Sequence, residues 1–146
     1  MSSILKLLGK LKPTDFPAGA TLIAEGKPAG LFVLSAGGLE VLRGEMHVAS
    51  IEDPGAVVGE MSALLGRPAS ATVRARTPVS AYAIDDPETF FEKSPGVLLE
   101  IARTLAKRLD ATTAHLADNR HRFAGAEDMV FLEDVFALLG SAQGRP

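Results

Sequence analysis

Residues 59 to 73, GEMSALLGRPASATV, have the pattern of a loop that holds a small anion. Gly59 allows the backbone and a ligand to approach closely, and the residues after it predict one short helical turn. The N-terminal end of such a turn carries unpaired amide donors and a partial positive charge, which together bind anions. Two interpretations stay open: an anion site, or an ordinary turn in which Glu60 caps its own helix and Ser70 is a solvated loop residue.

No other residue pattern favours catalysis or a metal site. The three histidines are scattered, since only His47 lies in the strand-rich region and His115 and His121 do not share a helical face. The chain has no Cys, which excludes thiolate chemistry and disulfides and fits a cytoplasmic location. The nucleophile motif GxSxG is absent, and Gly37-Gly38 predicts a tight turn rather than a phosphate loop. We expect no enzyme activity, no metal and no cofactor.

The charge and hydropathy patterns exclude two classes of partner. With 15 basic and 18 acidic residues, the net charge of -3 gives no overall electrostatic footprint for nucleic acid. No segment has the ~20 consecutive apolar residues that a membrane-spanning helix needs. Any anion must therefore be bound locally.

The sequence pattern changes from strand-like to helical near residue 86, and the strand-like part contains the loop. Before it, short β-rich runs alternate with Gly and Pro turns, which predicts an antiparallel β-barrel or jelly roll over about residues 14–85. A short amphipathic helix is predicted at the N-terminus, and helices follow the barrel over about residues 86–122. The predicted fold class is therefore α+β.

The boundaries of the C-terminal helices are marked by their capping residues. Asp85 or Asp86 is the predicted N-cap of a short helix with Pro87 at its first position. Ser94 and Pro95 end that helix and start a long one. The apolar stripe of the long helix, which needs a partner, is formed by Leu98, Ile101, Leu105, Leu109, Thr112 and Leu116.

Residues 123–146 are predicted to form a short acidic helix, at about 127–140, and a disordered tail outside the domain of residues 1–122. This helix has four acidic residues and no base, so phosphates would repel it: Glu127, Asp128, Glu133 and Asp134. It offers no second helix and no basic recognition face, which predicts that the chain does not bind DNA. The chain is expected to be a lone sensor or adaptor module, or a piece of a longer protein.

Three segments in colinear order carry a family resemblance: DFPAGATLIAEGKPAGLFVLSAGGLEV, GAVVGEMSALLGRPASATVRARTPVSAYAID and FFEKSPGVLLEIARTLAKRL. From about residue 14 to 112 the chain resembles the cyclic nucleotide-binding domain of catabolite activator proteins, cyclic-nucleotide-regulated channels and protein kinase A regulatory subunits. The resemblance implies the jelly roll fold of a double-stranded β-helix and a regulatory, non-enzymatic role.

The resemblance also implies roles for the residues of the loop. Gly59 opens the turn, and Met61 and Ser62 offer backbone amides to a cyclic phosphate. Glu60 accepts a hydrogen bond from the ribose 2'-hydroxyl, and Ser70 and Ala71 contact the phosphate from the far side. The ligand implied is cAMP or cGMP.

The chain departs from the family at Ala69, where members with this loop length have an arginine that neutralises the phosphate. Losing one charge-assisted hydrogen bond is worth roughly 1.5–3 kcal/mol, or about tenfold to more than a hundredfold in affinity. Arg67 is a candidate substitute, because in an extended segment side chains two residues apart share a face. The alternative for Arg67 is a solvated loop residue.

Two functions follow from this departure. The chain is either a sensor of cAMP or cGMP, or a degenerate domain that has lost the ligand and acts as an interaction or dimerisation module. A homodimer through the long helix at residues 97–119 is expected if its apolar stripe is not covered by the barrel or by the helix at 127–140. The resemblance implies that ligand binding moves this helix.

Overall fold

The computed structural model describes residues 3–118 of the chain. The chain divides into two compact units, Met1–Ile101 and Ala102–Pro146. The predicted domain boundary at residue 122, and the predicted acidic helix at 127–140 and its tail, lie outside the described residues. The elements, in chain order, are α1 (Ser3–Leu7), β1 (Thr14–Phe16), β2 (Thr21–Ile23), β3 (Leu31–Ala36), β4 (Leu39–Arg43), β5 (Met46–Ile51), β6 (Val57–Val58), α2 (Glu60–Leu65), β7 (Thr72–Ala75), β8 (Val79–Ile84), α3 (Pro87–Lys93) and α4 (Pro95–Asp118).

Eight strands of the first unit form two four-stranded antiparallel sheets. One has the order β1-β8-β3-β6 and the other β2-β7-β4-β5, so strands that follow one another in sequence mostly lie in different sheets. This jelly roll arrangement confirms the predicted fold class, and its strands lie between Thr14 and Ile84. The predicted turn at Gly37-Gly38 lies between β3 and β4.

The core lies among the inward-facing residues of both sheets. Its buried members come from alternate positions of the strands, together with Ala69 just before β7; they are Ile23, Leu34, Leu39, Val58, Ala69, Val73, Ala75, Val79 and Ala81. In β7 and at the residue after it, the buried Val73 and Ala75 alternate with the exposed Arg74 and Arg76. This period of two places one face of β7 in the core and the other towards water.

The helices of the first unit begin and end where capping chemistry predicts. The Asp86 carboxylate accepts a hydrogen bond from the Thr89 amide at 3.3 Å, and Pro87 follows as the first residue of α3. The Ser94 amide donates to the carbonyl of Phe90 at 2.8 Å, and α4 starts at Pro95. Asp86 is therefore the N-cap, and the predicted boundary between the two helices is confirmed.

Only some of the apolar residues of α1 and of the first turns of α4 are buried, and they are not all members of the predicted stripe. In α4, Val97 and Ile101 are each only 1% exposed, and Val97 was not in the predicted stripe. In α1 and just after it, Ile4 and Leu8 are buried. The Ser3 hydroxyl of α1 donates to the Glu100 carboxylate at 2.8 Å, which joins α1 to α4.

In the second unit, the described residues are the remainder of α4. Leu105 and Leu116 are half-buried, Leu109 is 36% exposed and Thr112 is exposed. The Thr112 hydroxyl donates to the Arg108 carbonyl one turn earlier, at 2.8 Å. A homodimer through this helix stays a prediction.

Candidate functional site

Gly59 starts the predicted loop in a conformation that needs glycine. Its φ is +86°, and a Cβ atom at this position would lie 2.2 Å from the carbonyl oxygen of Gly30. Helix α2 follows at once, and its first helical hydrogen bond runs from the Ala63 amide to the Gly59 carbonyl, at 3.0 Å. The amides of residues 60–62 precede that bond, so they have no acceptor one turn earlier within α2. They form the positive end of a helical turn.

Glu60 is the one buried charged residue of the part of the chain that the structure describes, with 7% of its surface exposed. A buried carboxylate is costly unless hydrogen bonds compensate it. Among residues 3–118, no fully buried side-chain nitrogen or oxygen is without a hydrogen-bond partner. The first turn of a helix also favours a carboxylate through the helix dipole. Glu60 is therefore held in the protein interior at the start of α2, beside the amides of residues 60–62.

The other end of α2 is closed by Ser62. Its carbonyl accepts a hydrogen bond from the Gly66 amide at 3.0 Å, and its hydroxyl donates to the carbonyl of Arg67. The Ser62 hydroxyl thus fixes the exit of the helix, while its amide stays in the first turn. Met61, the remaining predicted amide donor, has a 44% exposed side chain.

Ala69, at the position where an arginine is expected, has its side chain in the core. It is 8% exposed and belongs to the buried cluster that includes Ile23 and Val73. Its backbone is paired with the loop after β2: the Gly26 amide donates to the Ala69 carbonyl at 2.8 Å, and the Ala69 amide donates to the Lys27 carbonyl at 2.9 Å. Position 69 therefore faces the barrel interior.

The remaining predicted site residues follow an irregular path. The chain bends at Arg67 and again at Ser70 and Ala71. Arg67 and Ser70 are exposed and Ala71 is half-buried, whereas Ala69 is buried. The exposed Arg67 and the buried Ala69 therefore lie in different environments. A contact between Arg67 and a phosphate stays a prediction.

Arg74 and Arg76, the next arginines along the chain, are committed to ion pairs. Arg74 lies opposite Glu40 in the register of β4 and β7, and its guanidinium contacts the Glu40 carboxylate at 2.6 Å. Arg76 pairs with Glu52. These contacts join strands of one sheet, so both guanidinium groups have structural partners.

Sequence reasoning missed the segment of residues 24–30, AEGKPAG, which borders both ends of the loop. Gly30 touches Gly59, and Gly26 and Lys27 are bonded to Ala69. Its Gly and Pro residues indicate a turn, but no pattern in the sequence links this turn to residues so far along the chain. Only the pairing of β2 with β7 brings them together.

No group of three or more His, Cys, Asp or Glu side chains within residues 3–118 could hold a metal ion. None of the helices in this part of the chain has the length and apolar character to cross a membrane.

The family model for the cyclic nucleotide-binding domain matches residues 13–92. A CRP-like cAMP-activated global transcriptional regulator of Mycobacterium tuberculosis is 31% identical over 124 residues, covering 80% of this chain and 55% of the regulator. The chain thus spans about half the length of the curated relatives that it matches.

Solved structures share the fold. The catabolite activator protein of Thermus thermophilus superposes with a TM-score of 0.64 at 22% identity, over 80% of this chain and 59% of that chain. A regulatory subunit of a cAMP-independent protein kinase A from Trypanosoma brucei superposes with a TM-score of 0.57 at 20% identity, over 71% of this chain and 44% of that chain. That structure is a triple mutant bound to cAMP, and one of its substitutions replaces a threonine with an arginine.

Proposed function

The chain belongs to the cyclic nucleotide-binding domain family, and we propose that it is a non-catalytic regulatory module that binds cAMP or cGMP at the loop of residues 59–73. The observation that carries the proposal is the pairing of Gly59 and Glu60: a left-handed glycine opens a helical turn whose first residue is a buried carboxylate. Amide donors for an anion and an acceptor for hydroxyl groups therefore lie within one turn of backbone.

Each half of the ligand has a proposed partner in this turn. The cyclic phosphate takes the amides of residues 60–62, with Gly59 leaving room for the approach, and Ser70 and Ala71 form the opposite side. The Glu60 carboxylate accepts from the ribose 2'-hydroxyl. Since phosphate and carboxylate repel each other, this arrangement needs a positive charge nearby.

Two relatives differ in their response to cAMP. The Mycobacterium tuberculosis regulator is cAMP-activated. The Trypanosoma brucei protein is the regulatory subunit of a cAMP-independent protein kinase A, and its cAMP-bound mutant carries an introduced arginine. Because Ala69 stands where an arginine is expected, we propose that the present chain retains binding with a reduced affinity.

A thermal-shift titration with cAMP, cGMP and 5'-AMP tests the proposal. Ligand at 100 times its dissociation constant stabilises a folded protein by about 2.7 kcal/mol, so a specific ligand raises the melting temperature in a saturable manner. We expect this for cAMP or cGMP and not for 5'-AMP, whose open phosphate carries more charge. A melting temperature that none of the three changes at millimolar concentration would contradict it.

The competing function is an interaction module without a ligand. The observation that favours it is the exposure of three apolar side chains on α2: Met61 is 44%, Leu64 44% and Leu65 57% exposed. An exposed apolar surface of this kind is typical of protein contacts. Self-association without any nucleotide-dependent shift would support this function over the first.

A further inference from the structure

Lys27 lies directly opposite Ala69, at a β-bulge that extends the pairing of β2 and β7. The Lys27 amide donates to the Ala24 carbonyl at 3.2 Å, which closes a turn, and Gly26 in that turn has a φ of +77°. The Gly26 amide donates to the Ala69 carbonyl, and the Ala69 amide donates to the Lys27 carbonyl. Gly26 and Lys27 thus lie opposite the single residue Ala69, and the first of the two is a left-handed glycine. This is the pattern of a β-bulge.

The segment that carries Lys27 is anchored on both sides. The Glu25 amide donates to the Thr72 hydroxyl at 3.1 Å, and the Glu25 carboxylate accepts from the Gly44 amide at 3.0 Å. At the other end, Gly30 contacts Gly59. The segment therefore spans the distance between the start of α2 and Ala69, along the edge of the proposed phosphate site.

The charge that the proposed site needs has few sources nearby. Arg74 and Arg76 are held by Glu40 and Glu52. Lys27 and Arg67 are both exposed, and neither has an ion pair within residues 3–118. Of these two cations, only Lys27 is bonded through its backbone to the residue that replaces the expected arginine.

We propose that Lys27 supplies the positive charge for the phosphate of the ligand, from the segment opposite Ala69. This inference rests on the proposed function, and it identifies the residue that provides the positive charge which the proposed phosphate site needs. The lysine ammonium is a point charge that binds phosphate oxygens without a fixed geometry, and it is carried on a flexible four-carbon stem.

The test is the affinity for cAMP of the wild type, of Lys27→Met and of Arg67→Ala, which removes the other candidate cation, each measured by calorimetric titration at low and high salt. Methionine keeps most of the stem and removes the charge. We expect Lys27→Met to weaken binding roughly tenfold to a hundredfold, as for the loss of one charge-assisted hydrogen bond. Its remaining affinity should depend less on salt than that of the wild type, because a charge interaction near the surface is screened. Arg67→Ala should stay close to the wild type.

The double variant Lys27→Met/Ala69→Arg tests whether both positions deliver charge to one place, and it should regain the affinity that Lys27→Met lost. Since Lys27 is exposed, its variant is expected to fold, which the unfolding temperature verifies. If the wild type binds cAMP and Lys27→Met binds equally well, this inference is wrong while the proposed function stands. The same holds if Arg67→Ala, and not Lys27→Met, weakens binding. A loss of affinity with an unchanged salt dependence overturns it as well. If the wild type binds no cyclic nucleotide, both this inference and the proposed function are wrong.

Discussion

The carbonyl oxygen of Gly30 lies 2.2 Å from the place that a Cβ atom would take at Gly59. The two glycines thus join the segment after β2 to the first residue of the proposed phosphate turn. Gly59 also has a φ of +86°, a conformation that side chains disfavour. Backbone contact and backbone conformation both require glycine at this position.

Gly59→Ala should therefore destabilise the fold by more than the left-handed conformation alone explains. That conformation costs a non-glycine residue about 1–3 kcal/mol, and the overlap with Gly30 adds to it. Gly66 provides the matched control, since its φ is +63° but a Cβ there would meet nothing within 4 Å. Chemical denaturation of both variants measures the difference, and an equal loss of unfolding free energy in the two would refute the close approach.

Ala69→Arg should have opposite effects on the free and the ligand-bound protein. A guanidinium at a position only 8% exposed carries a desolvation cost, so the melting temperature without ligand should fall. Affinity for cAMP should rise by about tenfold to a hundredfold, because a charge-assisted hydrogen bond is gained. Ala69→Met controls for side-chain size without charge. A gain in affinity of the same size in both variants would show that charge is not the reason.

Glu60→Gln should reduce the preference for a ribose over a deoxyribose ligand. A carboxylate that accepts from the 2'-hydroxyl favours cAMP over 2'-deoxy-cAMP by roughly 1.5–3 kcal/mol, and an amide acceptor by less. Competition binding of the two nucleotides to the wild type and the variant gives this ratio. Glu88→Gln, an exposed acid at the start of α3, serves as the control. An unchanged ratio in Glu60→Gln would place the 2'-hydroxyl elsewhere.

Asp86→Ala should destabilise the protein in a manner that depends on pH. Hydrogen bonds from the Thr89 side chain and then its amide hold the pKa of Asp86 below its ordinary value of 3.8. A lowered pKa in the folded state stabilises the protein above pH 3.8, and this contribution disappears as the pH falls below it. Thermal unfolding of wild type and variant should therefore differ at neutral pH and converge in acid. Asp85→Ala is the matched control, because Asp86 and not Asp85 is the N-cap of α3.

The sequence predicted the features that depend on local chemistry. The alternation of Gly and Pro turns predicted the jelly roll, and Asp86, Pro87 and Pro95 predicted where α3 and α4 begin. The segment GEMSALL predicted the short helix α2.

The features that depend on strand register were not predictable from local patterns. Lys27 opposes Ala69 only because β2 pairs with β7, and no composition or periodicity encodes that pairing. The burial of Val97 also depends on tertiary packing. The predicted apolar stripe of α4 contains Leu98 and not Val97, so helical periodicity did not indicate that Val97 is buried. The expected role of Arg67 likewise depends on the path of the loop, which bends at Arg67, and it stays a prediction.

The central claim, that this domain binds a cyclic nucleotide through Glu60 and the amides beside it, is tested most directly by calorimetric titration of the whole chain with cAMP and with cGMP, beside Glu60→Ala. We predict saturable binding of at least one nucleotide with a dissociation constant at or below about 1 mM, and at least a tenfold loss in Glu60→Ala. No binding by the wild type at millimolar nucleotide, or equal binding by wild type and variant, would contradict the claim.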